Sequence, residues 1–271
     1  MDQSIDGLVA ATKGRRLSFL PPPRQGGKRE ASGFVFPGPD DRLTINGMTG
    51  SGKSIFGVWL FSESADFNKK PWIFLDYKNE TLITEALDRR LFAPLSISAR
   101  IPDKPGIFVV RPNVREGQGP VSDFLWRVYE RGKVGMFLDE ATMVPELRGE
   151  ANSGGPFQSL LSQGRSKEIP VWVLAQRPVH VNKMVYTENN FYCAFRLRSK
   201  EDLKKVVENI PDDSRGFTST WSPNIRLPEY WSRWYDAKQD RSFLVRACPP
   251  PRDILNIISS RVESAKKRSS V

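Results

Sequence analysis

Residues Gly47-Met48-Thr49-Gly50-Ser51-Gly52-Lys53-Ser54 have the types and the spacing needed to hold a triphosphate. Glycine, a four-residue gap and Gly-Lys-Ser make a complete phosphate-binding P-loop. Glycines let the backbone wrap closely and aim several N–H groups at phosphate oxygens. A helix beginning near Lys53 adds its positive N-terminal end. Lys53 is placed to reach the β- and γ-phosphates of ATP, and the Ser54 hydroxyl to ligate Mg²⁺. A second chemical group follows at Asp139-Glu140, after the apolar run Val134 to Leu138. Asp139 is the candidate partner of Ser54 on Mg²⁺, and Glu140 the candidate for orienting and polarising an attacking water.

These groups need a scaffold that brings them together. Arg42-Leu43-Thr44-Ile45 reads as the strand before the P-loop, and Ser54 to Ser64 as the helix after it. Further short apolar strands are expected at Trp72–Leu75, Ile107–Val110, Val134–Leu138, Val171–Ala175 and Phe191–Leu197. Helical patterns at Glu80–Leu91, Val121–Arg131, Phe157–Ser162 and Glu201–Ile210 alternate with them. Such alternation implies an α/β fold, a mostly parallel sheet with helices on both faces.

The flanks differ. Residues 1–40 carry Arg15-Arg16, Pro21-Pro22-Pro23 and Pro37-Gly38-Pro39, a poor core former that reads as an extended basic arm suited to order against a neighbouring subunit. The ATPase core is expected over 41–210. Residues 211–271 are expected to form a C-terminal extension of loop, hairpin and helix packed on that core.

Composition narrows the class. The net charge of +10 favours a polyanionic partner, nucleic acid ahead of an anionic membrane surface. The excess is not confined to the tails, since Arg165, Lys167, Arg177, Lys183, Arg196, Arg198, Lys200, Lys204 and Lys205 outnumber the acids among them. Two cysteines, Cys193 and Cys248, and a single histidine, His180, argue against a zinc site or a disulfide framework. Both thiols read as small buried residues in a reducing cytosol, and His180 as a surface residue. No stretch approaches the ~20 apolar residues of a membrane span, and the N-terminus does not read as a secretory signal.

The chain resembles the FtsK–HerA superfamily of DNA-pumping ATPases. The P-loop carries the resemblance together with Leu75-Asp76-Tyr77-Lys78-Asn79-Glu80, Phe137-Leu138-Asp139-Glu140, and the stretch from Gly164-Arg165 through Val171–Ala175 to Gln176-Arg177-Pro178. It covers about residues 41–205 and implies a RecA-like P-loop NTPase core. It further implies that Gln176 is a polar sensor of the γ-phosphate and that Arg165 is an arginine finger reaching the ATP of a neighbouring subunit. The readings free of the resemblance are a locally satisfied amide for Gln176 and an ordinary surface arginine for Arg165. Arg177 reads equally as structural or DNA-facing.

Compact members of the superfamily include the genome-packaging ATPases of membrane-containing phages and related viruses, and size places this chain nearest to them. The resemblance therefore implies an ATP-driven motor on double-stranded DNA, a homo-oligomeric ring of five or six subunits, capsid vertex proteins as partners, and a place in the host cytoplasm or at the virion vertex. A cellular or plasmid-mobilisation translocase and an ATP-binding assembly factor that moves no DNA are the competing readings. Arg148 and Lys183 lie in loops suited to grip DNA phosphates, or are ordinary solvated charges. Trp221, Tyr230, Trp231, Trp234 and Tyr235 cluster outside the resemblance and are expected to pack in the core or at an interface rather than stack on bases.

Overall fold

The computed structural model describes residues 19–20, 35–144, 154–209, 227–245 and 248–269. Among these, the strands form one sheet. They are β1 (Phe19–Leu20), β2 (Leu43–Asn46), β3 (Pro71–Asp76), β4 (Ala93–Pro94), β5 (Gly106–Val110), β6 (Gly135–Asp139), β7 (Val171–Ala175), β8 (Phe191–Ala194), β9 (Ser232–Asp236) and β10 (Arg241–Val245). Their order is β1-β10-β9-β8-β2-β7-β6-β3-β5-β4. From β8 to β4 every pairing is parallel, while β9 runs antiparallel to both β8 and β10.

Burial on both faces explains why the parallel strands read as unbroken apolar runs. Trp72, Phe74, Phe137, Trp172 and Leu174 point to one face. There they meet α1 (Lys53–Ser64), α2 (Thr81–Asp88) and α7 (Pro251–Ser269). Ile73, Leu75, Met136, Leu138, Val171 and Val173 point to the other. That side is covered by α3 (Gly119–Arg131), α4 (Pro156–Gln163), α5 (Met184–Thr187) and α6 (Lys200–Asn209). Aromatic rings fill the first face, with Phe74 stacked on Phe137 at 4.2 Å and Phe61 edge-on to Phe74 at 4.9 Å. Gly135 must lack a side chain, because a Cβ there would lie 2.1 Å from the Trp72 indole.

The expected C-terminal hairpin is present as β9 and β10. It does not lie on the core as a separate layer. Its first strand is hydrogen-bonded to β8 through Tyr192↔Tyr235 and Cys193↔Trp234, so the sheet runs through it unbroken. Alternation explains the fit, since Trp234 faces α1 and Tyr235 the opposite side. The helix α7 caps α1: the Arg261 guanidinium donates to the carbonyls of Ser62 and Ala65, each at 2.5 Å, and covers the Phe67 ring. Those carbonyls at the end of α1 otherwise lack helical partners.

Within the described part of residues 1–40, Phe19 and Leu20 pair with Leu244 and Val245 of the same chain. Phe36 packs edge-on against Trp59 at 5.5 Å, and Asp40 pairs with Lys70 at 2.8 Å. Cys193 is buried as expected, whereas Cys248 is only half-buried. His180 is exposed.

Trp231, Trp234 and Tyr235 pack inward, as the sequence suggests, while Trp221 lies outside the described residues. Trp234 is fully buried between Phe191 and Phe56. Trp234→Ala should cost about 3–5 kcal/mol, the usual range for deleting a large buried ring. Urea unfolding monitored by circular dichroism measures this directly.

Candidate active site

The carboxyl edge of the parallel strands gathers the chemistry, as the crevice rule for α/β sheets requires. The P-loop leaves β2 and is moored to both neighbouring strands. Gly47 N–H donates to the carbonyl of Ala175, the last residue of β7, and Met48 N–H to the Arg196 carbonyl after β8, each at 3.2 Å. Gly50 and Gly52 adopt φ of +77° and +93°, which side chains resist. A Cβ on Gly47 would lie 2.7 Å from that of Phe195. Thr49 and Ser51 complete the loop, and α1 starts at Lys53 with its N-terminus toward it.

Lys53 is only 4% exposed, and burial, with Lys78 adding to it, lowers its pKa to about 8. The Ser54 hydroxyl donates to Asp139 Oδ1 at 3.0 Å. Asp139 Oδ2 is buried with no hydrogen-bond partner, and burial pushes the carboxyl up to about 6. A serine oxygen beside an unsatisfied carboxylate oxygen is a hard donor set that suits Mg²⁺ completed by phosphates. Among the described residues no cluster of three or more His, Cys, Asp or Glu offers an alternative metal site.

Glu140 follows Asp139 in a left-handed conformation, φ +68°, an outlier of the kind that collects at functional sites. Its carboxylate is held from several directions. Lys78 Nζ lies 2.6 Å from Oε2, the Thr142 hydroxyl donates to Oε1, and the Gln176 N–H approaches Oε1 at 3.5 Å. Burial raises the Glu140 pKa, but the bonds to Lys78 and Thr142 and the charges of Lys78 and Lys53 outweigh it, leaving the net shift downward. Two adjacent carboxyls are thus pushed apart, one toward protonation and one toward the ionised form.

Lys78 is positioned by its neighbours. Asp76 is buried and committed, accepting from Glu80 N–H and from Arg111 Nε at 3.0 Å each. This closes the 76–80 turn and directs Lys78 at Glu140. The Lys78 role was concealed inside the Asp76–Glu80 segment of the sequence, and Arg111 and Thr142 gave no local signal.

The strand β7 lies between β2 and β6, so Gln176, half-buried at its end, sits beside Glu140 and the P-loop start. Arg165 is elsewhere. It is exposed in the turn before β7, on the amino edge of the sheet. The five residues of β7 separate the edges by about 16 Å, beyond the span of one side chain. Arg177 pairs its Nε at 2.7 Å with the buried Asp202 of α6. Lys183 is exposed between β7 and β8, and Arg148 lies outside the described residues. Tyr230 departs from its aromatic neighbours, being 48% exposed with its ring against Gly52 of the P-loop.

No family model matches the chain. It is 30% identical over 233 residues to the DNA packaging ATPase P9 of Enterobacteria phage PRD1, covering 86% of this chain and 96% of that protein. Its fold is similar to the genome packaging NTPase B204 of Sulfolobus turreted icosahedral virus 2 in complex with ATP-gammaS, with TM-score 0.58, 18% identity, 77% of this chain and 98% of that one. VirB4 of Thermoanaerobacter pseudethanolicus shares the fold at TM-score 0.56 and 8% identity, over 79% of this chain and 90% of that one. Fold and site together define a P-loop ATPase of the FtsK–HerA type. Within that class the chain belongs to the family of viral DNA packaging ATPases that includes P9.

Lys78→Met should raise the pKa of Glu140, because the ammonium stabilises the carboxylate. The acid limb of the ATPase pH profile should move to higher pH, and activity at neutral pH should fall about 10- to 100-fold, as for other residues that support a catalytic group. Steady-state kinetics across pH 5–9 check both.

Proposed function

We propose that this chain hydrolyses Mg²⁺-bound ATP at the Gly47–Ser54 loop to drive double-stranded DNA into a viral shell, working as a homo-oligomeric ring with sites shared between subunits. The observation that carries the reading is the convergence of Lys53, Ser54, Asp139, Glu140 and Gln176 at one buried edge, in a member of the packaging ATPase family.

The residues divide the work. Backbone N–H groups of residues 47–54 and the start of α1 bind the phosphates, and Lys53 adds charge where it increases during transfer. Ser54 and Asp139 hold Mg²⁺, which when bound neutralises phosphate charge. Glu140 is kept ionised by Lys78 and accepts a hydrogen bond from water aligned for in-line attack. Gln176, whose backbone N–H approaches the Glu140 carboxylate, is the proposed sensor of the γ-phosphate. Arg165 stands on the wrong edge for its own nucleotide, which supports action on the ATP of a neighbouring subunit.

No helix among the described residues is long and apolar enough to cross a membrane. The proposed setting is the host cytoplasm and the virion vertex, with capsid vertex proteins as docking partners and five or six subunits in the ring. DNA is gripped through phosphates, without sequence preference, because a motor must pass every sequence. The exposed Lys183 is a candidate contact.

Lys53→Ala should abolish turnover, and Glu140→Gln should retain ATP binding while kcat falls about 10²- to 10⁴-fold. Wild-type turnover by Glu140→Gln would refute the site. Duplex DNA should stimulate the wild-type rate, with the effect fading as salt rises.

Arg165→Ala should bind ATP normally and hydrolyse it slowly. Mixed with Lys53→Ala subunits it should recover part of the activity, since each variant supplies what the other lacks. Mixtures as inactive as either parent would place Arg165 outside a shared site.

A further inference from the structure

A bound triphosphate has a direction on this sheet. Glu140 and Gln176 follow β6 and β7, both on one side of the P-loop strand β2. With the γ-phosphate at that side, the nucleoside leaves toward the other, over β8 and β9. The strand β9 is antiparallel, and its pairing of Arg233 with Ala194 brings its start to the carboxyl edge, next to the end of β8. Tyr230 lies just before that start.

We propose that the Tyr230 ring is the platform on which the nucleobase of the bound triphosphate stacks, an assignment that rests on the P-loop reading of the site. A Cβ built on Gly52 would lie 3.1 Å from Tyr230 Cδ1 and 3.9 Å from Phe195 Cε1. The ring therefore flanks the loop that binds phosphate, a few ångströms beyond its last glycine. Phe195 is buried and supports this corner from below, while Tyr230 is 48% exposed.

The backbone holds the ring out at a cost. The turn at residues 228–231 closes through Trp231 N–H to the Pro228 carbonyl at 3.3 Å, and Tyr230 takes φ +60° at its third position. Glycine or asparagine suits positive φ at that position of a turn, whereas a bulky ring is an outlier. Trp231, Trp234 and Tyr235, next along the chain, all turn into the core. An exposed aromatic ring kept in a strained conformation beside a phosphate loop is suited to stack on a flat ligand. Every nucleobase has a π-face, so such a platform contributes affinity without reading the base edge.

The test compares ATP with inorganic tripolyphosphate, which offers the same phosphates and no base. Tyr230→Ala should raise KM for ATP about ten-fold, equivalent to about 1.4 kcal/mol, with little change in kcat. Inhibition by tripolyphosphate should keep its wild-type Ki, which also certifies an intact P-loop. Tyr230→Phe should retain the wild-type KM. Tyr230→Gly, which relieves the positive φ, should melt no lower than wild type yet share the ATP defect. A wild-type KM in Tyr230→Ala overturns the platform, and so does equal weakening of ATP and tripolyphosphate, which would make Tyr230 a support for the loop. Failure of tripolyphosphate to compete with ATP in the wild-type protein would instead sink the P-loop reading, and the platform with it.

Discussion

Two ammonium groups and two carboxylates share one poorly solvated corner, and the rest of the site answers to that constraint. Across the head of the P-loop the charges of Lys53 and Lys78 act on Asp139 and Glu140, and Lys78 and both carboxyls act on Lys53. Burying isolated charges is costly, so each must find a counter-charge or change its protonation. Glu140 takes the Lys78 pairing and stays ionised. Asp139 has the Ser54 hydroxyl on one oxygen and nothing on the other, and its pKa rises. Lys53 is left with a weakened hold on its proton. Phosphates and a divalent cation are the ligands that restore balance to such a corner, because they supply negative charge to the lysines and positive charge to Asp139.

The sheet sets the geometry in which this balance operates. Placing β7 between the P-loop strand and the acidic strand brings Gln176 to the corner and sends Arg165 to the far edge. One strand thus ends at Gln176 on the carboxyl edge and begins after Arg165 on the amino edge.

The C-terminal elements belong to the machine rather than to its periphery. The strand β9 extends the sheet beyond β8, α7 caps the helix that starts at Lys53, and the turn before β9 reaches the P-loop. Arg261 and Trp234 hold α1 at its far end and its flank. Tyr230 meets the loop itself.

The residues that act through local backbone chemistry were legible in the sequence. The Gly47–Ser54 loop, the Asp139-Glu140 pair and the apolar strands before them are contiguous segments whose conformation and reactivity follow from their own composition. The α/β class followed from the alternation of those segments, and burial of Trp231, Trp234 and Tyr235 from their size. Tertiary structure alone decided which distant groups meet. Lys78 and Glu140 are 62 positions apart in the numbering and touch only because β3 and β6 are neighbours in parallel register, Asp76 beside Asp139. The hairpin joined the sheet because β8 left an open edge whose alternation matched that of β9. Arg165 was recognisable as a candidate by resemblance, but its separation from its own P-loop depended on the direction of β7. Tyr230 looked like its aromatic neighbours until a single positive φ turned it outward. Pairing partner, strand direction and edge are long-range choices made by the sum of burial and hydrogen bonding over the whole chain, and no local pattern encodes them.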